Sequence, residues 1–327
     1  MKRILLVIFY SWYLCFAVAQ PEDERHVSVD WEREIVDVMW RKSAIFFDQK
    51  NDEIFLAGVL DSNNIDWIQL DKDGNETVRK LIYFDIPFFI SGINIPSRDE
   101  LILVGDKLVA EGDSQYLQIN HFRIDSNILL WDCILPNTFS VSIRSVLKNT
   151  KGKYILAGSQ ETNENKDFFS FCLNHEKEII WTQSFGGKTG EEQITAIHQN
   201  ENGDLFLSGY QDLFATQNYR SWIVELDAGG EFIKDKTIGT DYASSKAIST
   251  LPYQDQKILL SDWQHSTKLI LIKANGDIAW EETFEFQGSS LQALQMVQAE
   301  REKFLLVMKE ENEQETAKII LQKIGVK

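Results

Sequence analysis

Phe55-Leu56-Ala57-Gly58 is an apolar stretch that ends in glycine, and similar stretches recur along the whole chain. The clear copies are Leu103-Val104-Gly105, Leu156-Ala157-Gly158 and Leu207-Ser208-Gly209, and two degenerate copies are Leu260-Ser261-Asp262 and Leu306-Val307-Met308. Neighbouring copies lie about 50 residues apart, which indicates an array built from one repeated structural unit. This repeat decides the fold before any single motif is considered.

A second recurring element is a tryptophan in a short apolar strand that follows a turn. It marks six equivalent positions, of which four keep the tryptophan: Trp31, Val78, Trp131, Trp181, Lys234 and Trp280. From each of these to the next glycine-type position the spacing is 27 or 28 residues, whereas the onward spacing varies from 18 to 26. A constant spacing indicates a segment fixed by geometry, and a variable one indicates a surface loop.

Each repeat contains four strands separated by turns. Residues 219–226 form one such strand, for example, and the turn Asp227-Ala228-Gly229-Gly230 follows it. Turns of this composition join antiparallel strands, because glycine and asparagine tolerate positive φ. Four strands in about 50 residues are typical of a β-propeller blade. We therefore predict an all-β chain that forms a single six-bladed β-propeller with four antiparallel strands per blade.

The two ends of the chain complement each other. Only 19 residues follow Met308, which is enough for a third strand at 318–323 but not for a tryptophan strand. Trp31 lies 27 residues before Gly58, as the repeat requires. We predict that the N-terminal strand near Trp31 completes the last blade and closes the ring, which removes exposed sheet edges. An open solenoid or a pair of sandwiches would not explain this complementarity. The tryptophan positions are expected to be largely buried.

The N-terminus has the pattern of a secretory signal peptide. Lys2 and Arg3 precede the uncharged apolar run 4–16, and Ala17-Val18-Ala19 is a small-x-small cleavage site. We predict a cleaved signal at 1–19, a propeller over 20–327, and a secreted or periplasmic location. An uncleaved membrane anchor is the alternative, although the run is short for a bilayer. No later stretch is long and apolar enough to span a membrane, so no span is expected after cleavage.

Charge and cysteine content restrict the partners. The 327 residues include 33 basic and 50 acidic side chains, a formal net charge of -17, which repels phosphate backbones and excludes a nucleic-acid partner. After signal cleavage only Cys133 and Cys172 remain. In an oxidising compartment they could pair or stay as two buried thiols, and both alternatives stay open. We expect a monomer.

Two strings carry a resemblance to a known family. Residues 273–280 read Lys-Ala-Asn-Gly-Asp-Ile-Ala-Trp, and residues 226–231 read Leu-Asp-Ala-Gly-Gly-Glu. They resemble the blade repeats of PQQ-like propellers. They look closer still to uncharacterised secreted bacterial propellers whose tryptophan strand precedes Gly-Gly, as at Trp181 and Gly186-Gly187. The resemblance covers nearly all of the mature chain and implies a fold rather than an activity. Quinoprotein dehydrogenases have eight blades and a longer chain, so no cofactor is expected.

Sequence motifs for catalysis or metal binding are absent. The chain has no Gly-x-Ser-x-Gly, His-Glu-x-x-His, P-loop or dinucleotide-binding fingerprint. Asp71, Asp73 and Glu76 crowd one turn without the spacing of a calcium loop, so a solvated hairpin is the better interpretation and no metal is expected. Weak catalytic candidates begin the inner strands at the channel mouth: Glu191, Glu192, Arg144 and Lys246. Charged side chains also occur in water-filled channels that perform no chemistry.

Two loops between second and third strands carry aromatic and polar side chains on one face. The candidate ligand-binding residues are Tyr210, Phe214, Tyr219, Asp262 and Trp263. Rings that stack on apolar faces, with polar groups that orient the ligand, suit a glycan or a peptide. The alternative is that these rings only cover their own blades. We expect any ligand on this face because loop length varies there. The acids of these loops favour a neutral, polyhydroxylated or cationic partner.

Together these observations favour a secreted, non-catalytic binding or scaffold module for an extracellular or periplasmic glycan, peptide or protein partner. One alternative is a propeller hydrolase or lyase that acts on a glycan or lactone. Another is an envelope assembly factor that binds other proteins through its loops. Whether the chain is an enzyme stays open from sequence alone, with the balance against catalysis.

Overall fold

The computed structural model describes residues 26–35, 40–61, 63–84, 89–108, 115–136, 140–161, 165–187, 190–212, 218–239, 244–263, 266–285, 290–311 and 317–326. These residues form 24 β-strands and no helix. The strands are β1 (Val27–Ile35), β2 (Lys42–Asp48), β3 (Glu53–Val59), β4 (Asn64–Leu70), β5 (Glu76–Tyr83), β6 (Phe89–Ser97), β7 (Glu100–Leu108), β8 (Gln115–Arg123), β9 (Ile128–Pro136), β10 (Val141–Lys148), β11 (Tyr154–Glu161), β12 (Lys166–Leu173), β13 (Ile179–Phe185), β14 (Glu191–Gln199), β15 (Leu205–Asp212), β16 (Arg220–Leu226), β17 (Phe232–Ile238), β18 (Ser245–Tyr253), β19 (Gln256–Trp263), β20 (Ser266–Ile272), β21 (Ile278–Phe284), β22 (Ser290–Glu300), β23 (Lys303–Glu311) and β24 (Ala317–Val326).

Antiparallel pairing groups these strands into sets of four. Four sets are separate sheets, namely β2–β5, β6–β9, β18–β21, and β22–β24 with β1, while β10–β13 and β14–β17 belong to one eight-stranded sheet. A single parallel pair, Lys166 with Glu191, joins the two halves of that sheet. The all-β class and a propeller-like arrangement are therefore confirmed. The structure shows four separate four-stranded sheets rather than the six blades predicted from sequence, because the pair Lys166–Glu191 merges the other two sets into one eight-stranded sheet.

The first strands of the sets surround a common centre. β2, β6, β10, β14, β18 and β22 contact one another in this order, and β22 contacts β2 again. At the outer edge of the last set, β1 pairs with β24 from Val27 opposite Val326 to Ile35 opposite Ile319. The outermost strand of the last set thus comes from the N-terminal end of the chain.

In the second, third and fourth sets the recurring glycine accompanies a β-bulge in the first strand, whereas β2 and β3 of the first set pair without a register shift and Gly58 lies against the Trp40 ring. In β10, Ile143 pairs with Gly158 and Ser145 with Ala157, so Arg144 is the extra residue. A Cβ added to Gly158 would lie 2.0 Å from a carbonyl oxygen of the bulged strand, which explains why glycine ends the second strand there. A bulge changes the direction in which a side chain points, and this bulge directs Arg144 towards the centre of the molecule.

In the fifth set the repeat is offset by one residue from the sequence alignment. Ser261 pairs with Ala247, and the bulge in β18 follows this pair. Ser261, rather than Asp262, therefore occupies the glycine-type position. Asp262 instead lies opposite Lys246.

The tryptophan-type positions mark a second set of bulges, in the outer strands. Where each outer strand pairs with the third strand of its set, the register shifts next to the tryptophan-type residue. These residues are Trp31, Val78, Trp131, Trp181, Lys234 and Trp280. The tryptophans are largely but not fully buried, because each packs against the edge of a core cluster while part of its ring stays exposed. Two of them also cover a turn of the next set. Trp31 Nε1 donates to the Lys72 carbonyl at 3.1 Å, and a Cβ on Gly230 would lie 2.5 Å from Trp181.

The core consists of six apolar clusters, each formed by two neighbouring sets. One cluster joins Ile155 and Cys172 to Ile194 and Leu207, so the halves of the eight-stranded sheet pack face to face. Cys133 lies in a different cluster, and both cysteines are buried free thiols. No helix that is long and apolar enough to cross a membrane occurs in the described part of the chain.

Candidate functional site

A cavity of 1030 Å³ lies at the centre of the ring of first strands. Its apolar lining includes Ile93, Ile197 and Ile248, deeper along the strands than the charged residues at the strand starts. The starts of the first strands lie beside the ends of the second strands, from which the loops predicted as the ligand-binding face emerge. Three predicted residues from different sets, Arg144, Tyr210 and Lys246, line this cavity together with Asp262.

Arg144 is held in place by a glutamine that the sequence analysis did not single out. With the Gln193 amide turned so that its nitrogen faces the Tyr210 hydroxyl, its oxygen accepts from Arg144 Nε at 2.7 Å and Nη2 at 3.3 Å. This orientation satisfies all three groups, whereas the reverse one opposes like atoms. The result is a fixed row from Arg144 through Gln193 to Tyr210 across β10, β14 and β15.

The two tyrosines of the predicted site bind a side chain of the protein itself. The Tyr210 and Tyr219 rings meet edge to face, with their centroids 4.9 Å apart. The Lys246 ammonium lies 4.7 Å from the Tyr210 centroid and 4.2 Å from the Tyr219 centroid. A cation at these distances is attracted by the ring faces, so the tyrosines fix Lys246 at the mouth. One face of each ring is therefore occupied by the ammonium and does not stack on a ligand.

Asp262 is the acidic group of the cavity lining. Its Oδ1 accepts from the Ala293 amide at 2.8 Å and from Thr267 Oγ1 at 3.1 Å. Burial raises the pKa of the Asp262 carboxyl to about 6, although these two hydrogen bonds and Lys246 favour the ionised form. Its hydrogen bonds connect β19 with β22, so the carboxyl also joins neighbouring sets.

Glu191 and Glu192 lie outside the cavity lining. Glu191 is exposed, whereas Glu192 is 1% exposed and sits between the third and fourth sets near Asp167 and Asp212. Burial raises the pKa of Glu192 to about 7, with repulsion from the neighbouring acids adding to the effect. Neither Glu192 oxygen has a hydrogen-bond partner of normal geometry in the described ranges, and the nearby Gly187 amide offsets only part of the shift.

Trp263 and Phe214 do not join this group. Trp263 is half-buried and packs on the cluster between the fourth and fifth sets, with the Lys268 ammonium 4.4 Å from its ring centroid. It follows the other sequence interpretation, in which a ring covers its own blade. Phe214 lies outside the described residues.

Lys42 is a cavity residue that the sequence analysis missed. It begins β2 and lines the same mouth as Arg144. Burial, with repulsion from the Arg144 guanidinium, lowers the pKa of the Lys42 ammonium to about 8. An alignment of the first strands would have found Lys42. Ser43 pairs with Gly58 and Ile194 pairs with Gly209, so Lys42 and Gln193 hold equivalent positions one residue earlier.

The described residues contain no group of three or more His, Cys, Asp or Glu side chains arranged to hold a metal ion. In the acidic turn of the first set, Asp71 accepts from the Asp73 amide at 2.9 Å and the Asn75 amide at 2.8 Å. This carboxylate stabilises its own turn, which agrees with the hairpin interpretation.

The chain is similar in fold to several solved structures. A protein of unknown function from Dyadobacter fermentans DSM 18053 aligns with a TM-score of 0.62 and 11% identity, over 92% of this chain and 100% of that chain. The polysaccharide lyase Uly1 aligns with a TM-score of 0.47 and 12% identity, over 87% of this chain and 77% of that chain. At these identities the likeness concerns the fold alone. No protein-family model matches the chain, and the search of curated proteins gives no match. The PQQ-like resemblance stays a prediction.

Proposed function

We propose that the chain is a secreted, non-catalytic propeller of six blades that binds a ligand at the mouth of its central cavity. The observation that carries the binding role is the convergence of Arg144, Gln193, Tyr210 and Lys246, from three different sets, around one cavity. A concave site with a few polar groups held in fixed positions is typical of ligand recognition on a rigid scaffold.

Six blades are supported by the core rather than by the hydrogen-bonded sheets. A full apolar cluster separates β10–β13 from β14–β17, and one residue pair is a small exception to that separation. Closure by the N-terminal strand is supported by the pairing of β1 with β24 over almost the whole length of β1. Secretion is supported by the charge, apolar run and cleavage triplet of residues 1–19.

A binding role is favoured over catalysis because the predicted acids do not converge on the cavity. Glu192 is buried between sets, and Glu191 is exposed beside the tyrosines. Asp262 already accepts two hydrogen bonds from the protein. The hydrolase or lyase alternative predicts turnover of a lactone or polysaccharide that Asp262→Asn abolishes. The assembly-factor alternative predicts a protein partner that co-purifies from the native envelope.

A glycan and small-molecule array tests the binding proposal. Wild type should bind a ligand that Tyr210→Ala and Lys246→Gln both lose, because the first releases Lys246 and the second removes it. Trp263→Ala is the matched aromatic control and should retain binding, since Trp263 does not line the cavity and packs on the cluster between the fourth and fifth sets. Circular dichroism confirms that each variant is folded. Loss of binding in Trp263→Ala, with retention in Tyr210→Ala, would place the site elsewhere.

A further inference from the structure

The cavity has the opposite charge to the protein that surrounds it. Acidic side chains outnumber basic ones by 50 to 33 in the whole chain. Among the described residues that line the cavity, five are basic and one is acidic: Arg41, Lys42, Arg144, Lys246 and Lys309 against Asp262. A cleft of one sign with low-dielectric walls concentrates its field at the mouth, so this arrangement attracts anions.

Three of these cations form no close ion pair with a described residue, although Lys246 lies opposite Asp262 and interacts with its carboxyl at longer range. Lys42, Arg144 and Lys246 take part in none of the ion pairs within 4.0 Å among the described residues. The charge of Arg144 favours the ionised form of the Asp106 carboxyl. Burial has the larger effect and raises the pKa of that carboxyl. Lys42 and Arg144, which both line the cavity, repel each other. A bound anion would relieve this repulsion and supply the missing counter-charge.

The cations are also held in position before any ligand arrives. Gln193 occupies the Nε and Nη2 side of Arg144, which leaves Nη1 for another acceptor. Tyr210 and Tyr219 hold the Lys246 ammonium. Side chains that are already ordered lose less conformational entropy on binding, so their charges contribute more fully to affinity.

We propose that the mouth of this cavity binds the carboxylate of a small organic anion. Arg144 Nη1 donates a charge-assisted hydrogen bond to it, and Lys42 and Lys246 neutralise its charge. A cavity of 1030 Å³ accommodates a molecule of about drug size rather than a polymer. This inference rests on the proposed ligand-binding role and adds the sign of the ligand, since that role would stand for a neutral ligand as well.

The test compares ligands that differ only in charge. Glucuronate and its neutral isostere glucuronamide are titrated calorimetrically into the mature chain at low and at high salt. Citrate, a carboxylate that is not a sugar, distinguishes a sugar acid from a simple organic acid as the source of the anion. Glucuronate or citrate should bind, and glucuronamide should bind at least about tenfold more weakly. Added salt should lower the affinity for the anion.

Variants assign the binding to the cavity. Arg144→Gln and Lys246→Gln should each lower the affinity for the anion about tenfold or more. Arg144→Lys should retain part of the affinity because it keeps the charge. Lys151→Gln, in the exposed turn after β10, is the matched control and should bind as wild type does. The inference is overturned if glucuronamide matches glucuronate, if neither carboxylate binds, or if the cavity variants bind as Lys151→Gln does. Tight binding of glucuronamide, or an array ligand that is neutral, would leave the binding module intact while refuting its anionic ligand.

Discussion

Replacement of Glu192 by glutamine should stabilise the protein in a pH-dependent way. The carboxyl is 1% exposed, and burial among neighbouring acids raises its pKa from 4.5 to about 7. At about 1.4 kcal/mol per pKa unit, the shift lowers the stability of the wild type by about 3 kcal/mol once the group is ionised. The folded state binds the proton more tightly than the unfolded state, so wild-type stability is lost as pH rises from about 4.5 to about 7.

Urea titration of wild type and Glu192→Gln, near pH 4.5 and near pH 8, measures this effect. The variant should gain about 2–3 kcal/mol in free energy of unfolding at the higher pH and almost nothing at the lower, because glutamine resembles the protonated carboxyl. Glu191→Gln is the control: it removes the same charge from the exposed adjacent position. An equal gain at both pH values, or an equal gain in the control, would show that Glu192 is not held as a buried acid.

Three further predictions concern the ring and its core. Deletion of residues 20–36 should lower the free energy of unfolding by several kcal/mol, since it removes the strand paired with β24; melting within a few degrees of the mature chain would refute closure by this strand. Trp181→Ala should cost about 2 kcal/mol in urea titration, below the roughly 3–5 kcal/mol of a fully buried tryptophan, because the ring packs against the edge of a core cluster and stays partly exposed; a larger loss would mean that the ring contributes as a fully buried side chain does. Cys133 and Cys172 should react with a thiol reagent only after unfolding, as both are buried and burial raises the pKa of the Cys133 thiol to about 11; reaction in the native state would contradict this packing.

The repeat was readable from sequence because its signals have local causes. Gly158 is required by the carbonyl oxygen of a bulged neighbouring strand, and Trp181 is fixed by the bulge in its own strand and by the turn of the next set. The outer-strand bulge adjoins all six tryptophan-type positions, and the first-strand bulge occurs in every set except the first, so spacing alone located the strands. In the fifth set, where Ser261 replaces the glycine, the sequence pattern placed the glycine-type position one residue too late, at Asp262.

The site was only partly readable for a different reason. Arg144, Tyr210 and Lys246 come together because each lies at the same end of its set, which the order of strands in the repeat had indicated, while the bulge that directs Arg144 towards the centre was not visible in the sequence. Lys42 was missed because a single lysine at a strand start has no distinctive neighbour in sequence. Glu192 was assigned to the mouth because it begins an inner strand, and Trp263 because of its loop, whereas alternation along the strand turns Glu192 into the space between sets. A shift of one residue reverses the side of a strand, so site residues need register as well as strand assignment.

Net charge and ligand charge are different questions in a ring of this kind. The excess of acidic side chains predicts repulsion of a long polyanion, which would have to contact the outer surface along its length. A small anion at the mouth is closest to Lys42, Arg144 and Lys246, and surface acids more than about 8 Å away are largely screened at physiological salt. The surrounding walls screen the cavity cations less than water would, so their attraction persists where the surface repulsion has faded. The predicted repulsion of nucleic acid is therefore compatible with the proposed binding of a small carboxylate, and the salt dependence of binding separates these two effects.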